Sequence, residues 1–274
     1  MKKIEDLDFG FSDAENYRRR ENKELFMHAF LRNSYLDNII SPSTSFIIGD
    51  KGTGKTAYSV YLSNNEYKNV RGSLKYIRET EYRKFITLKK EKQLELSDYS
   101  SIWKVIILML LAEQVYKRES KNVLFPRFNK LHAVHEAIQE YYLHAFSPEI
   151  QHALQFVKES KRAAELLFKH FRAGGETSDS YSFEETKFQT NLLFIQKNIE
   201  NALSGLKLDK THLLFIDGID IRPSAIPYDE YLECIKGLAN AVWELNNDFF
   251  PEIPDSKGRM RVILLIRPDI FCSL

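Results

Sequence analysis

Cysteine is scarce: Cys234 and Cys272 are the only two, and neither belongs to a pair with metal-ligand spacing. A disulfide scaffold is excluded, and the two read as reduced thiols of a cytoplasmic protein. Long apolar runs are missing as well. The longest, residues 105–112, falls far short of the roughly 20 residues that cross a bilayer, so it reads as a core helix and no membrane partner is expected. An excess of one charge is also lacking, since 39 Lys and Arg balance 38 Asp and Glu. No global field draws the chain to nucleic acid or acidic membranes, and any such contact must be local, as at Arg18-Arg19-Arg20 or residues 89–92. Met1-Lys2-Lys3-Ile4-Glu5-Asp6 leads into acidic and aromatic residues rather than an apolar stretch, so no secretion leader is expected. His132, His135, His144 and His152 match no zinc-hydrolase helix pattern and read as structural or surface residues.

Glycine is sparse too, yet three of the 11 fall in one turn, Gly49-Asp50-Lys51-Gly52-Thr53-Gly54-Lys55-Thr56. This is G-x-x-x-x-G-K-[ST], directly after the apolar run Phe46-Ile47-Ile48 and before a helix over 56–62 with Ala57, Val60 and Tyr61 facing inward. Such glycines let successive N–H groups curl around an anion while the helix points its positive end at the same place. The pattern predicts a phosphate-binding P-loop. Gly49, Asp50, Lys51, Gly52, Thr53, Gly54, Lys55, Thr56 and Ala57 would line the nucleotide, ATP, with Lys55 on the β and γ phosphates and Thr56 on Mg²⁺.

Elsewhere the chain divides by pattern. Residues 1–44 read as a helical lead-in, with one helix over 12–32 and an aromatic and glycine cluster at Phe9, Gly10, Phe11 and Ala14. Residues 45–96 and 207–274 read as the α/β core, with strands at 46–48, 70–77, 212–217 and 262–266 and a helix over 226–245. Between strands two and three, residues 97–206 read as a long helical insertion, a surface for a protein partner or self-association, with helices over 101–117, 131–146, from 148 to 173, and around 188–203. The expected fold class is α/β, a mostly parallel sheet flanked by helices. In such sheets ligands bind beyond the carboxyl ends of the strands.

At those ends lie the P-loop, Asp217 with Asp220, and Arg267. Asp217 ends a buried apolar strand and has the setting of a Walker B acid on Mg²⁺, opposite Thr56. Gly218 follows it, so an acid directly after the metal ligand is missing; Asp220 is the carboxylate available to orient water, or else a turn residue. Arg267 either senses charge on the γ-phosphate or pairs with Asp269 at the surface.

Phe215-Ile216-Asp217-Gly218-Ile219-Asp220 resembles the Walker B of STAND-type, AAA+-related ATPases, above all the NACHT group, and Ile266-Arg267-Pro268 is similar to that group's sensor strand. With the P-loop and Asp269-Ile270-Phe271, the set also looks like uncharacterised bacterial P-loop ATPases associated with phage defence. The resemblance implies Lys55, Asp220 and Arg267 as catalytic residues, Thr56 and Asp217 on the metal, and a lead-in near Phe9, Gly10 and Ala14 touching the base. It departs at Ile221, where the group often has another acid. It also implies strand order 5-1-4-3-2 and a helical lid. With the fifth strand and lid missing, the expectation is a truncated ATPase domain, or a P-loop strand edge covered by the lead-in or another chain. The expected function is an ATP-binding, slowly hydrolysing switch. The alternatives are a nucleic-acid-associated loader or helicase-like ATPase, and a nucleotide-binding regulator without turnover.

Overall fold

The computed structural model describes residues 11, 13–18, 22–77, 99–120, 128–144, 185–222, 224 and 226–274. Its centre is a sheet of four parallel strands: β1 (Phe46–Ile48), β2 (Val70–Tyr76), β3 (Thr211–Asp217) and β4 (Met260–Ile266), in spatial order β1-β4-β3-β2. Parallel neighbours need crossovers, and helices supply them on both faces. Around the strands run α1 (Lys23–Ala29), α2 (Tyr35–Ile40), α3 (Lys55–Asn64), α4 (Tyr99–Glu119), α5 (Phe128–His144), α6 (Glu185–Ser204), α7 (Tyr228–Glu244) and α8 (Pro268–Phe271).

Side-chain alternation along the strands assigns the two faces. Leu214, Ile216, Val262, Leu264 and Ile266 enter one core with α4 and α7, whereas Leu213, Phe215, Ile263 and Leu265 enter a second core with Phe26, Leu36, Val60 and Tyr61 from α1–α3. The two central strands are thus apolar at nearly every position, as burial on both faces demands. α4 is buried almost all round, because it lies between the sheet, α7 and the outer helices α5 and α6. The 105–112 run is therefore a core helix of the sheet's own covering layer. Among the described residues no helix is long and apolar enough to cross a membrane.

The lead-in corrects one expectation. Instead of one helix over 12–32 there is a 3₁₀ turn (Ala14–Arg18), then α1, then α2. α1 stops because Phe30 turns extended and lays its ring on Tyr61, 4.3 Å between centroids. Asn33 then starts the next turn, its Oδ1 accepting from Tyr35 N at 3.1 Å while its Nδ2 donates to the Tyr58 hydroxyl at 2.8 Å. Phe11, Tyr17, Phe26 and Phe30 form a continuous run of ring contacts that ends on Tyr58 and Tyr61 of α3. Phe9, Gly10, the third insertion helix (148–173) and the basic stretch 89–92 lie outside the described residues.

Two buried polar side chains hold the sheet where strands run out. Arg261 of β4 is 4% exposed and donates to the carbonyls of Ile40 and Ser41 at the carboxyl end of α2, where Ser41 O also accepts from Thr44 N at 3.0 Å. Burial lowers its guanidinium to about 10. Asn246 sits in a π-helical turn (Leu245–Phe249) that continues α7. Its amide accepts from Val262 N at 3.0 Å and donates to Val262 O at 2.8 Å, as a neighbouring strand would. β1 begins two residues too late to stand opposite Val262, pairing Phe46 with Leu264. On its other side β1 has no strand among the described residues, and Ile48 is 45% exposed.

Asn246→Leu removes the amide that matches both Val262 groups, so it is expected to destabilise the chain by about 2–4 kcal/mol, read as a lower denaturant midpoint. An unchanged midpoint would show that Val262 finds other partners.

Candidate functional site

The parallel order brings the ends of all four strands to one edge, and the candidate residues meet there. β1 ends at Ile48 opposite Ile266 of β4, and Gly49 N donates to Ile266 O at 3.2 Å. The chain then turns through residues 50–54, closed by Thr53 N and Thr53 Oγ1 on the Asp50 carbonyl. Gly54, immediately before α3, has φ +89°, a left-handed conformation that a side chain would strain. α3 starts at Lys55, so its first-turn N–H groups have no carbonyl within their own helix and face the turn. Asp50, Lys51, Gly52 and Thr53 are exposed, and Ala57 is half-buried against the α1–α3 core.

Two ordered contacts join this turn to β3. Thr56 Oγ1 donates to Asp217 Oδ2 at 2.6 Å across 161 residues of chain. Lys55 Nζ donates to Gly49 O at 2.5 Å and Asp50 O at 3.2 Å, and stands 4.0 Å from Asp220 Oδ2. Lys55 is thus folded back on the carbonyls of its own turn, with the Asp220 carboxylate beside it.

Asp217 is 5% exposed. Burial raises its carboxyl above the ordinary aspartate range, against the Thr56 hydroxyl and its own contact from Gly218 N at 2.8 Å. Burial raises Asp220 as well; Lys55 opposes that shift and Asp217 adds to it. Both carboxylates are therefore held where they would rather be neutral. A magnesium ion, hard and oxygen-seeking, fits the Thr56 hydroxyl and Asp217 carboxylate, which already converge on one point. Among the described residues no group of three or more His, Cys, Asp or Glu could hold a metal by itself, so such an ion would draw its remaining oxygens from a ligand or water.

Gly218 explains why no acid follows Asp217. Its φ is +90°, and a Cβ there would lie 2.5 Å from Ile77 O and 2.9 Å from the Tyr76 ring. The end of β2 crosses that close because Tyr76 pairs with Asp217 in register and Ile77 N donates to Asp217 O at 2.8 Å. A carboxylate can return only after the turn, at Asp220, whose Oδ1 accepts from Arg267 N at 3.2 Å. Arg267 thus meets Asp220 through its backbone. Its guanidinium pairs with Asp269 at 2.8 Å, the surface arrangement left open as an alternative.

Three neighbours had no sequence motif to reveal them. Burial raises the Tyr76 hydroxyl most, followed by the charges of Asp217, Glu15, Asp13 and Asp220. Asp13 precedes the 3₁₀ turn of the lead-in that carries Ala14, and its charge reaches Asp217. Tyr231 of α7, 1% exposed, donates its hydroxyl to Ile219 O at 2.6 Å, inside the acidic turn. Of the histidines, His135 stacks on Tyr116 and His132 pairs with Glu136 at 3.4 Å, both remote from this edge. Cys234 is buried and Cys272 exposed, neither bonded to the other.

Comparison with protein-family models, curated proteins and solved structures returns no match.

The raised Asp220 has a sign that can be checked. A carboxyl whose folded pKa exceeds its unfolded value costs stability while ionised, and the cost fades as pH falls through the folded pKa. Without nucleotide, Asp220→Asn is expected to raise Tm at neutral pH, with the gap over wild type closing as the buffer is acidified. Gly218→Ala is expected to cost about 2 kcal/mol or more in the same melts, from strained backbone and the Tyr76 and Ile77 contacts. A Gly218→Ala chain as stable as wild type would contradict the packing argument.

Proposed function

We propose that the chain is an ATP-binding, slowly hydrolysing molecular switch of the STAND/NACHT-like P-loop ATPase type, working in bacterial defence against phage. The observation that carries the biochemical part is the 2.6 Å contact of Thr56 with Asp217 at the mouth of the glycine turn. The strand order β1-β4-β3-β2, with every strand end on that edge, supports it further. The defence setting rests on the resemblance of the three motifs alone.

In this reading the turn 49–54 and the α3 amino terminus take the phosphates, and Lys55 leaves the Gly49 and Asp50 carbonyls to meet them. Magnesium, when bound, would be held by Thr56 and Asp217 and would neutralise charge between phosphate oxygens. Asp220, proton-hungry and 4.0 Å from Lys55, orients a water toward the γ-phosphorus and takes its proton. As the water oxygen bonds to phosphorus, the bond to the β–γ bridging oxygen breaks, and ADP and phosphate leave.

A regulator that binds nucleotide without turnover is favoured by one observation, the Arg267 guanidinium occupied by Asp269 rather than offered to a phosphate. The two readings separate in paired assays. ATP at about a hundred times its Kd should add about 2.7 kcal/mol of stability in either case. Phosphate release belongs to the switch only. Lys55→Ala is expected to lose both binding and release, and Asp220→Asn to keep binding while release falls about a hundredfold or more. Equal release from wild type and both variants would contradict the switch.

A further inference from the structure

Asp220 lies on a turn that has no regular secondary structure to steady it, yet its carboxylate must stand at a set place beside Lys55. Three bonds fix that turn: Gly218 N on Asp217 Oδ1, Arg267 N on Asp220 Oδ1, and the Tyr231 hydroxyl on Ile219 O. Only the last comes from a side chain outside the strand-end edge. It is 2.6 Å long and buried, and Ile219 itself is fully enclosed. Burial raises the Tyr231 hydroxyl, so it remains a donor throughout the accessible pH range.

α7 is in turn anchored next to Tyr231. Trp103 Nε1 of α4 donates to Cys234 O at 3.1 Å, and Gly237 lets Tyr99 come so close that a Cβ there would lie 2.3 Å from the Tyr99 Cβ. These contacts lie within two turns of Tyr231 on the same helix. An aromatic ring is stiff, so the position of α7 against α4 dictates where Ile219 O stands.

We propose, resting on the ATPase reading above, that Tyr231 is the positioning residue of the site: its hydroxyl holds the Ile219 carbonyl and so sets the Asp220 carboxylate over Lys55, linking the α4–α7 layer to hydrolysis. The consequence is a division of labour. Phosphate affinity belongs to the glycine turn and Lys55, which Tyr231 does not touch, whereas the rate of hydrolysis depends on Asp220 and therefore on Tyr231.

The test is steady-state ATP hydrolysis by the full chain as wild type, Tyr231→Phe, Trp103→Phe, Ser256→Ala and Lys55→Ala, with rates normalised to nucleotide-binding molecules. Ser256 is a buried hydroxyl bonded to Leu206 O and Leu208 N, away from this edge, and controls for general loss of stability. Tyr231→Phe is expected to lower kcat about tenfold or more with KM for ATP within about twofold. Trp103→Phe, which frees α7 without touching the turn, should show the same split in smaller measure, and Ser256→Ala should lower Tm alone. A wild-type kcat in Tyr231→Phe, with Lys55→Ala inactive, overturns the positioning role and leaves the ATPase reading standing. Losses that follow Tm alike in Tyr231→Phe and Ser256→Ala also overturn it. Should Tyr231→Phe not fold, a wild-type kcat in Trp103→Phe overturns it. Hydrolysis absent from wild type, or equal in Lys55→Ala, overturns both.

Discussion

A hydroxyl and a carboxylate 161 residues apart meet at 2.6 Å, and most of the architecture can be understood as what that meeting requires. Thr56 lies one residue into a helix whose start is set by Gly54 in a left-handed conformation. Asp217 lies at the end of a strand whose preceding residues, Leu213 to Ile216, are buried on both faces. The parallel sheet, with β4 between β1 and β3, brings a turn after one strand and an acid after another to the same edge. The cost is a carboxyl pushed above its ordinary range by burial, a shift opposed locally by Thr56, Gly218 N and Lys55. Sites held in this way commonly trade stability for function.

Much of the frame was legible because its signals are local. The apolar runs that end in Asp217 and Ile266 read as strands buried on both faces, and alternation along them now assigns Leu214 to one core and Phe215 to the other. The turn before α3 was legible because glycines clustered between an apolar run and a helical pattern mark a change of chain direction. Three helices of the helical tract, α4, α5 and α6, were legible from apolar spacing, although pattern alone presented α4 as part of an insertion when its side chains complete the sheet's core.

What was not legible depended on contacts distant in sequence. The lead-in helix breaks at Phe30 because a ring on α3 is waiting for it, and only the Asn33-Ser34 pair hinted at the stop. Asn246 reads as an ordinary helical residue until Val262 is seen to lack a strand partner. Tyr231 sits on the same apolar face as Cys234, Ile235 and Leu238, so its pattern is that of a core tyrosine. Its partner is a carbonyl, and a carbonyl has no sequence signature. Gly218 reads in sequence as a missing acid; the crossing of Tyr76 and Ile77 supplies the reason.

The central claim is that one ligand, a triphosphate with magnesium, engages the turn at Gly49 to Thr56 and Asp217 together. Calorimetric titration with ATP, run in magnesium and again in EDTA, tests it most directly when wild type is compared with Thr56→Ala and Asp217→Asn. The account expects saturable one-to-one binding that weakens about tenfold or more without the metal, and a metal dependence that both variants abolish. Binding that ignores magnesium, or a metal dependence intact in both variants, would contradict it.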